Sequence, residues 1–316
     1  MVSKQNGKLY IYKNQYKYII RYYINMSEQQ NVTIHLMGGL GNQLFQIFTC
    51  LAYGYKEKRQ TIFPYSDVLT TGITRNTYWE SFLDGIKHLT TINNNEYTVS
   101  SLTNHFDTLQ ENGFRYQDIP EFNNKNIRLF GYFQSHKYFQ KYYDDICSLM
   151  GLNYKLLQVR DKCSEYFQPN MRTISMHFRL GDYKQIQDCH PLMPIDYYRS
   201  SLYYMLSMKT IKKCNVLYFC QKQDYDEVSG IISKLSKEFN YVNFINVNTN
   251  ISDWEEMLLM ANCDDNVIAN STFSWWGAYF NQNPTKLVCY PKLWFGPKLK
   301  HNVVDLFPNK WQKIEW

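Results

Sequence analysis

His177, Arg179 and Asp182 lie within six residues of one another, in the stretch TISMHFRLGDY (173–183). The apolar alternation that precedes them predicts a buried strand, which would end where these polar groups begin. An arginine guanidinium is a permanently charged planar fork that suits phosphate oxygens, and Asp182 could hold that fork in place. The pattern leaves two interpretations open: an anion-binding site, or an ion pair internal to a loop.

A glycine-rich stretch, HLMGGLGNQLFQ (35–46), lies between a predicted strand and a predicted helix. Gly39 and Gly41 would let a ligand approach the backbone closely, and a helix N-terminus can hold negative charge. A dinucleotide fingerprint is excluded, because Leu44 stands where its third small residue belongs and the next strand does not end in an acidic residue. The alternative is a tight turn in which Asn42 caps the helix.

Hydroxyl groups mark a third candidate in ANSTFSWWGA (269–278). Ser271 and Thr272 at a helix start could cap that helix or, together with its free N–H groups, bind phosphate. The adjacent Trp275 and Trp276 are typical of core packing. Near the start of the preceding helix, Glu256 could act as a cap or accept hydrogen bonds from two adjacent N–H groups of a base.

No metal site or cofactor site is predicted. Asp224 and Asp226 are spaced like the D-x-D metal site of some glycosyltransferases, but they lie at a predicted helix start, where Asp224 fits an N-cap. The eight cysteines form no C-x-x-C pair, so buried free thiols are expected.

Composition narrows the class of protein. The 316 residues are 44% hydrophobic and 20% charged, as in a globular protein, and the net charge of +6 is spread along the chain, which argues against a nucleic-acid partner. No run of 18 apolar residues and no secretion signal is present, so we expect a cytoplasmic protein, of a bacterial or a host cell, without stable membrane insertion.

Strands and helices alternate along the chain, which predicts an α/β fold with parallel sheets, in two Rossmann-like halves that face a central cleft. Residues 66–126 show no clear pattern and predict mostly loops and short helices. The expected organisation is an N-terminal extension (1–30), a first domain on the acceptor side (31–168) and a second, donor-binding domain (169–316). In the second half, strands are predicted at 173–178, 215–220, 241–247, 266–270 and 286–290, with helices at 195–208, 224–238, 252–263 and 273–281.

Taken together, five blocks resemble the α-1,2-fucosyltransferases of glycosyltransferase family 11. The blocks occur in the same order over residues 32 to 300, and they are GGLGNQLFQ (38–46), GYFQSHKYF (131–139), HFRLGDY (177–183), IANSTFSWWGA (268–278) and PKLWFGP (291–297). The resemblance implies a GT-B fold and an inverting, metal-independent transfer of fucose from GDP-fucose to a glycan hydroxyl. It includes no part of residues 1–30.

The resemblance also implies roles for single residues. Arg179 matches an arginine that contacts the donor pyrophosphate. Asn42 matches a loop near the reacting centre and Asp182 matches a flanking position of the arginine motif, and both are further candidates for catalysis. Gln134 and Asn42 fall on the acceptor side. The residues expected to bind the donor are His177, Arg179, Glu256, Ser271, Thr272, Phe273, Gly39 and Gly41.

Three departures from the family pattern bear on the expected function, and one is that Phe219-Cys220-Gln221-Lys222 replaces the family's Phe-Ser-Asp-Asp segment. Leu180 stands where the family commonly has a second arginine, and Glu256 is one methylene longer than the usual aspartate. The sequence identifies neither the general base nor the acceptor glycan. Two alternative functions stay open, a GT-B enzyme that uses another nucleotide sugar and a non-catalytic protein that binds nucleotides or glycans.

Overall fold

The computed structural model describes residues 30–123, 125–248 and 250–316. The predicted extension at residues 1–30 therefore lies outside the described residues, apart from its last position. None of the described helices is both long enough and apolar enough to span a membrane.

The strands are β1 Asn31–Ile34, β2 Gln60–Thr61, β3 Val68–Leu69, β4 Arg75–Asn76, β5 Asp107–Gln110, β6 Ile127–Phe130, β7 Arg172–His177, β8 Cys214–Phe219, β9 Val242–Asn246, β10 Asp265–Val267, β11 Val288–Pro291 and β12 Gln312–Ile314. The α-helices are α1 Leu40–Glu57, α2 Val99–Asn104, α3 Tyr143–Leu149, α4 Leu152–Lys162, α5 Ile195–Met208, α6 Tyr225–Glu238, α7 Asp253–Ala261, α8 Thr272–Phe280.

The first sheet is parallel and has the strand order β2-β1-β6-β5. Its edge strand β5 was not predicted, because the sequence DTLQ is mostly exposed and lacks apolar alternation. Between β1 and β2 the chain forms α1, which buries a broad apolar face against the sheet. A separate antiparallel hairpin, β3-β4, lies outside this sheet.

The second sheet is also parallel, in the order β12-β11-β10-β7-β8-β9. Counted from β7, this is the strand order 3-2-1-4-5-6 of a doubly wound sheet, which reverses direction between β7 and β10. All five predicted strands are present, and the unpredicted β12 extends one edge. The structure confirms the predicted α/β class and the GT-B arrangement of two Rossmann-like halves about a cleft.

Aromatic side chains join the two halves in one continuous core. Trp275 and Trp276 are fully buried, with the Trp276 ring centroid 5.1 Å from that of Phe45 on α1. The Trp276 indole N–H also donates to the carbonyl oxygen of Gly41 over 2.9 Å. Core packing of this tryptophan pair is thus confirmed.

The chain passes from the first sheet to the second between β6 and β7, and the boundary at 168/169 stays a prediction.

Residues 136–151 have the amphipathic pattern of one helix closed by Gly151, but the prediction of a single helix is wrong. The chain instead makes two 3₁₀ turns, His136–Tyr138 and Gln140–Tyr142, before α3 begins. Phe139 lies between the turns and is fully buried, and Ser135 accepts a capping bond from the N–H of Lys137. Burial of an aromatic side chain at this point takes precedence over a regular helical repeat.

The close approach of α1 and α8 at Gly41 gives a stability prediction. A Cβ atom on Gly41 would lie 2.6 Å from the backbone nitrogen of Phe273, so Gly41→Ala should cost about 1–3 kcal/mol of unfolding free energy. In Gly230→Ala, within α6, the new methyl group meets no atom within 4 Å, and this variant should gain about 0.5–1 kcal/mol. Urea unfolding measures the free energy of unfolding of both variants. If the two substitutions change it in the same direction, the result would contradict this packing.

Candidate active site

The carboxyl ends of the central strands of the two sheets come together at the contact between α1 and α8. In the second sheet, β7 leads to Arg179 and β10 leads to Ser271; in the first, β1 leads to Asn42 and β6 leads to Gln134. Neighbouring strands whose connections leave in opposite directions open a crevice at their carboxyl ends, where ligands bind in open α/β sheets. The residues predicted for the site are therefore assembled at two adjoining crevices.

Two helix N-termini meet in this crevice. Helix α1 begins at Leu40 and α8 at Thr272, and neither has an acidic residue in its first turn. Gly39 and Ser271 hold the N-cap positions, and within the described residues neither helix has a side-chain cap. Each N-terminus carries a partial positive charge of about half an elementary charge. Together they form an environment that favours an anion.

One oxygen atom links the two halves at this point. The Asn42 Oδ1 atom accepts a hydrogen bond from Gln134 Nε2 over 2.9 Å and another from Thr272 Oγ1 over 2.9 Å. Asn42 lies inside the first turn of α1, so the alternative in which it caps that helix is wrong. Its side chain instead joins a residue predicted for the acceptor side to one predicted for donor phosphate.

Arg179 is held beside the second crevice by its loop. Its Nη2 donates to Asp182 Oδ1 over 2.6 Å, and the guanidinium carbon lies 4.9 Å from the centre of the Tyr183 ring. The Tyr183 hydroxyl in turn donates to the carbonyl oxygen of Asn270 over 3.2 Å. The internal ion pair considered from the sequence is present. It uses one of the five N–H groups of the guanidinium, so the others can still donate to an anion.

Asp224 fixes the loop that carries Arg179. It is 2% exposed, and its carboxylate accepts bonds from the Gly181 N–H and from Lys184 Nζ, each over 2.8 Å. Asp224 holds the predicted N-cap position of α6, but its side chain makes no capping bond to that helix, because these two partners occupy the carboxylate. No cluster of three or more acidic, histidine or cysteine side chains suited to a metal ion occurs in the described part of the chain.

His177 ends β7 as a buried and neutral ring. Burial and, to a lesser extent, the charge of Arg179 lower the pKa of His177 to about 3. Its Nδ1 atom is buried and has no hydrogen-bond partner among the described residues, while its ring centroid lies 5.8 Å from that of Phe273. At neutral pH the ring can therefore donate or accept a hydrogen bond but adds no positive charge.

Glu256 carries a carboxyl group that helix capping does not use. The α7 cap is formed by Ser252 and Glu255, whose Oε2 accepts from the Ser252 N–H over 2.8 Å, so the capping alternative for Glu256 is wrong. Burial, together with the charge of Asp253, raises the pKa of Glu256 to about 7. Burial and then the charges of Asp224 and Glu256 raise the pKa of Cys220, the residue after β8, to about 11.

Two residues with positions in the site had no signal in the sequence. Glu111 Oε2 accepts from the N–H groups of Tyr132 and Phe133, over 2.7 and 2.9 Å, and so fixes the turn that presents Gln134. An acid directly after a strand could have indicated it, but β5 is not recognisable as a strand. The other residue is Arg75, whose guanidinium lies 3.6 Å from Asp182.

Comparison with known proteins gives a consistent result. A family model described as glycosyl transferase family 11 matches residues 2–315. The O-antigen biosynthesis glycosyltransferase WbnK of Escherichia coli is 31% identical over 173 residues, which are 53% of this chain and 55% of that protein. The chain thus matches about half the length of that relative. An α-1,2-colitosyltransferase of Escherichia coli is 25% identical over 320 residues, or 90% of this chain and 99% of that protein.

Among solved structures, a mutant of FUT1 from Arabidopsis thaliana in complex with GDP gives a TM-score of 0.46 at 14% identity. That alignment covers 89% of this chain and 77% of the other. A likeness at this distance does not bear on the site.

Two neighbouring glutamates on α7 should have opposite effects on the stability of the fold when they ionise. The raised pKa of Glu256 means that its ionised form destabilises the fold, increasingly as pH rises from about 4.5 to about 7, so Glu256→Gln should raise the melting temperature at pH 8 and not at pH 4.5. Burial alone would raise the pKa of Glu255, but hydrogen bonds from Lys162 and Ser252 outweigh burial and lower it. Glu255→Gln should therefore lower the melting temperature at pH 8.

A change of 1 kcal/mol in the free energy of unfolding changes the melting temperature of a protein of this size by about 2–4 °C. Thermal unfolding at the two pH values measures both variants. If Glu256→Gln lowers the melting temperature at pH 8, the inference that burial and Asp253 make the ionised carboxylate destabilising is wrong.

Proposed function

Because the chain belongs to glycosyltransferase family 11, we propose that it transfers fucose from GDP-fucose to a hydroxyl group of a glycan acceptor, with formation of an α-1,2 linkage. The observation that carries this proposal is that two anion-binding features lie side by side at the crevice of the second sheet. There, Arg179 and the uncapped N-terminus of α8 lie at the ends of the adjacent strands β7 and β10. A diphosphate is the anion that such a pair of features suits.

The donor would lie along the carboxyl edge of the second sheet. Its diphosphate accepts hydrogen bonds from Arg179 and from the backbone N–H groups and hydroxyls at Ser271 to Phe273. The guanine base presents two adjacent N–H donors, and the ionised carboxylate of Glu256 matches them. His177, buried between these ends, contacts the donor as a neutral hydrogen-bonding group.

The proposed reaction is a direct displacement with inversion at the anomeric carbon. The acceptor oxygen forms a bond to that carbon while the bond to the diphosphate oxygen breaks, and GDP leaves with the electron pair. Negative charge grows on the leaving diphosphate, and Arg179 with the N-terminus of α8 stabilises it. A base takes up the hydroxyl proton. Asp182 supports the reaction by holding Arg179, and the transfer uses neither a metal ion nor a cofactor.

The acceptor would bind from the side of the first sheet. Asn42 and Gln134 are joined there by a hydrogen bond, and Gln134 Oε1 is buried without a partner among the residues described. Such an oxygen can accept a hydrogen bond from a sugar hydroxyl, and burying it unsatisfied costs about 1–3 kcal/mol. The turn fixed by Glu111 positions this group.

A second candidate donor is nucleotide-linked colitose. The colitosyltransferase relative aligns over 90% of this chain, a far longer match than that of the other relative. Colitose lacks the 3-hydroxyl group of fucose, so a pocket that hydrogen-bonds this hydroxyl group would discriminate strongly between the two sugars, whereas a pocket without such a group would not.

Arg179→Ala should lower the rate of GDP release from GDP-fucose in the presence of an acceptor by about 100-fold or more, because one stabilising charge in the transition state is lost. The assay is run with EDTA, since the proposed transfer needs no metal ion. Circular dichroism and the melting temperature check that the fold survives. Turnover close to that of the unchanged protein in a folded variant would contradict the mechanism.

The donor can be identified by turnover with an oligosaccharide series. We expect the ratio kcat/KM for GDP-fucose to exceed that for UDP-galactose by about 100-fold or more, since the carboxylate of Glu256 has no matching pair of donors on uracil. GDP-colitose is tested in parallel. Higher kcat/KM for GDP-colitose would establish the second candidate, and GDP binding without any GDP release would indicate a non-catalytic protein.

A further inference from the structure

Residues 68–78 reach from the first half of the molecule to the second. The hairpin formed by β3 and β4 places Arg75 Nη2 3.6 Å from Asp182 Oδ2, beside Arg179. Three residues further on, the Tyr78 hydroxyl donates to the carboxylate of Asp253, at the start of α7. The segment therefore contacts the second half at two points, one next to Arg179 and one next to Glu256.

The hairpin is attached to the glycine-rich turn of the first half. Gln43 Nε2 donates to the carbonyl oxygen of Asn76 over 2.9 Å and to that of Gly38 over 3.0 Å. Gln43 is fully buried, so this amide ties the residue after Arg75 to the N-terminal end of α1. The position of Arg75 thus follows from the same helix end that presents Asn42.

Few cations at this end of the cleft are left for a ligand. Lys184 is occupied by Asp224 and Glu227, each at 2.8 Å. Burial lowers the pKa of His177 to about 3, so that ring is neutral at pH 7, and burial also lowers the pKa of His190, which disfavours its charged form.

The side chain that follows Arg179 in sequence, Leu180, is 6% exposed and packs in the core. Within the described chain, Arg75 is accordingly the second cation that the structure places against Asp182.

Stability does not account for this contact. The Arg75 and Asp182 side chains are 37% and 40% exposed, and ion pairs of this kind typically contribute about 0–1 kcal/mol. The two arginines share one aspartate, so the three groups together keep one net positive charge beside the crevice. An arrangement of this kind attracts an anion more than it secures the fold.

We propose that Arg75 is a second cation for the diphosphate of the nucleotide sugar, supplied across the cleft by the opposite half. Asp182 holds Arg75 and Arg179 beside the crevice, and on donor binding both guanidinium groups donate to phosphate oxygens. Arg75 then stabilises the leaving diphosphate and ties the first half to the bound donor. This inference rests on the proposed function, because it assigns Arg75 to the donor of that same site.

Calorimetric titration with GDP and with guanosine tests the assignment. In Arg75→Ala, GDP should bind about 10- to 100-fold more weakly, since a hydrogen bond to a charged group is lost, while guanosine binding should change less than about twofold. Arg75→Lys should recover part of the GDP affinity. Arg199→Ala is the matched control, because Arg199 is similarly exposed and ion-paired on α5, with Asp196 and Glu238, and should leave both affinities unchanged.

A second experiment separates direct contact from an indirect effect through Asp182. In the Asp182→Asn background, Arg75→Ala should still weaken GDP binding by about tenfold or more and lower kcat for GDP-fucose. If the effect of Arg75→Ala disappears in that background, or if GDP and guanosine are affected equally, the assignment of Arg75 is overturned. If Arg75→Ala alone binds GDP with an affinity within about twofold of that of the unchanged protein, the assignment is also overturned.

These outcomes are separate from a failure of the proposed function. If the unchanged protein transfers no sugar from GDP-fucose yet binds GDP, the proposed reaction is wrong, and the ratio of GDP to guanosine affinities still decides the role of Arg75. If the unchanged protein turns over GDP-fucose and Arg75→Ala does so equally well, only the Arg75 assignment fails.

Discussion

The organisation of the cleft depends on one contact, where the N-terminal ends of α1 and α8 meet. Gly41 permits the approach, because any side chain at this position would collide with the backbone of Thr272 and Phe273. Across this contact, Asn42 accepts hydrogen bonds from Thr272 and from Gln134. Two crevices that belong to different sheets thus become one site. In the proposed transfer, helix packing would therefore set the distance between a donor on one sheet and an acceptor on the other.

The electrostatics of the site follow from the same contact. Both helix ends lack acidic residues and, within the described chain, side-chain caps, so their partial charges are left for a ligand. Asp224 is buried but neutralised by Lys184, and His177 is kept neutral by burial. The positive charge that remains belongs to arginines around Asp182. A site of this kind is suited to stabilise a leaving diphosphate, which is the main demand of the proposed transfer.

The sequence was sufficient for the parts of the fold that a single strand or helix determines. The apolar runs of the buried strands β7 and β8 and the helical repeat of α5 predict those elements almost to the residue. It was insufficient where a contact between distant segments decides the outcome. Strands β5 and β12 are short, partly exposed edges without apolar alternation. Asn42 and Asp224 have the side chains of helix caps, but partners from other segments occupy them.

Arg75 shows the same limit most clearly, since nothing in its neighbourhood in the sequence indicates that it would face Asp182 across the cleft. In the proposed complex with the donor, a diphosphate lies between Arg179 and the N-terminus of α8. A crystal structure of the protein with GDP tests this claim most directly. We predict phosphate oxygens about 2.7–3.2 Å from the Arg179 guanidinium and from a backbone N–H of Thr272 or Phe273, with guanine against Glu256. A diphosphate bound away from both Arg179 and that helix end would contradict the account.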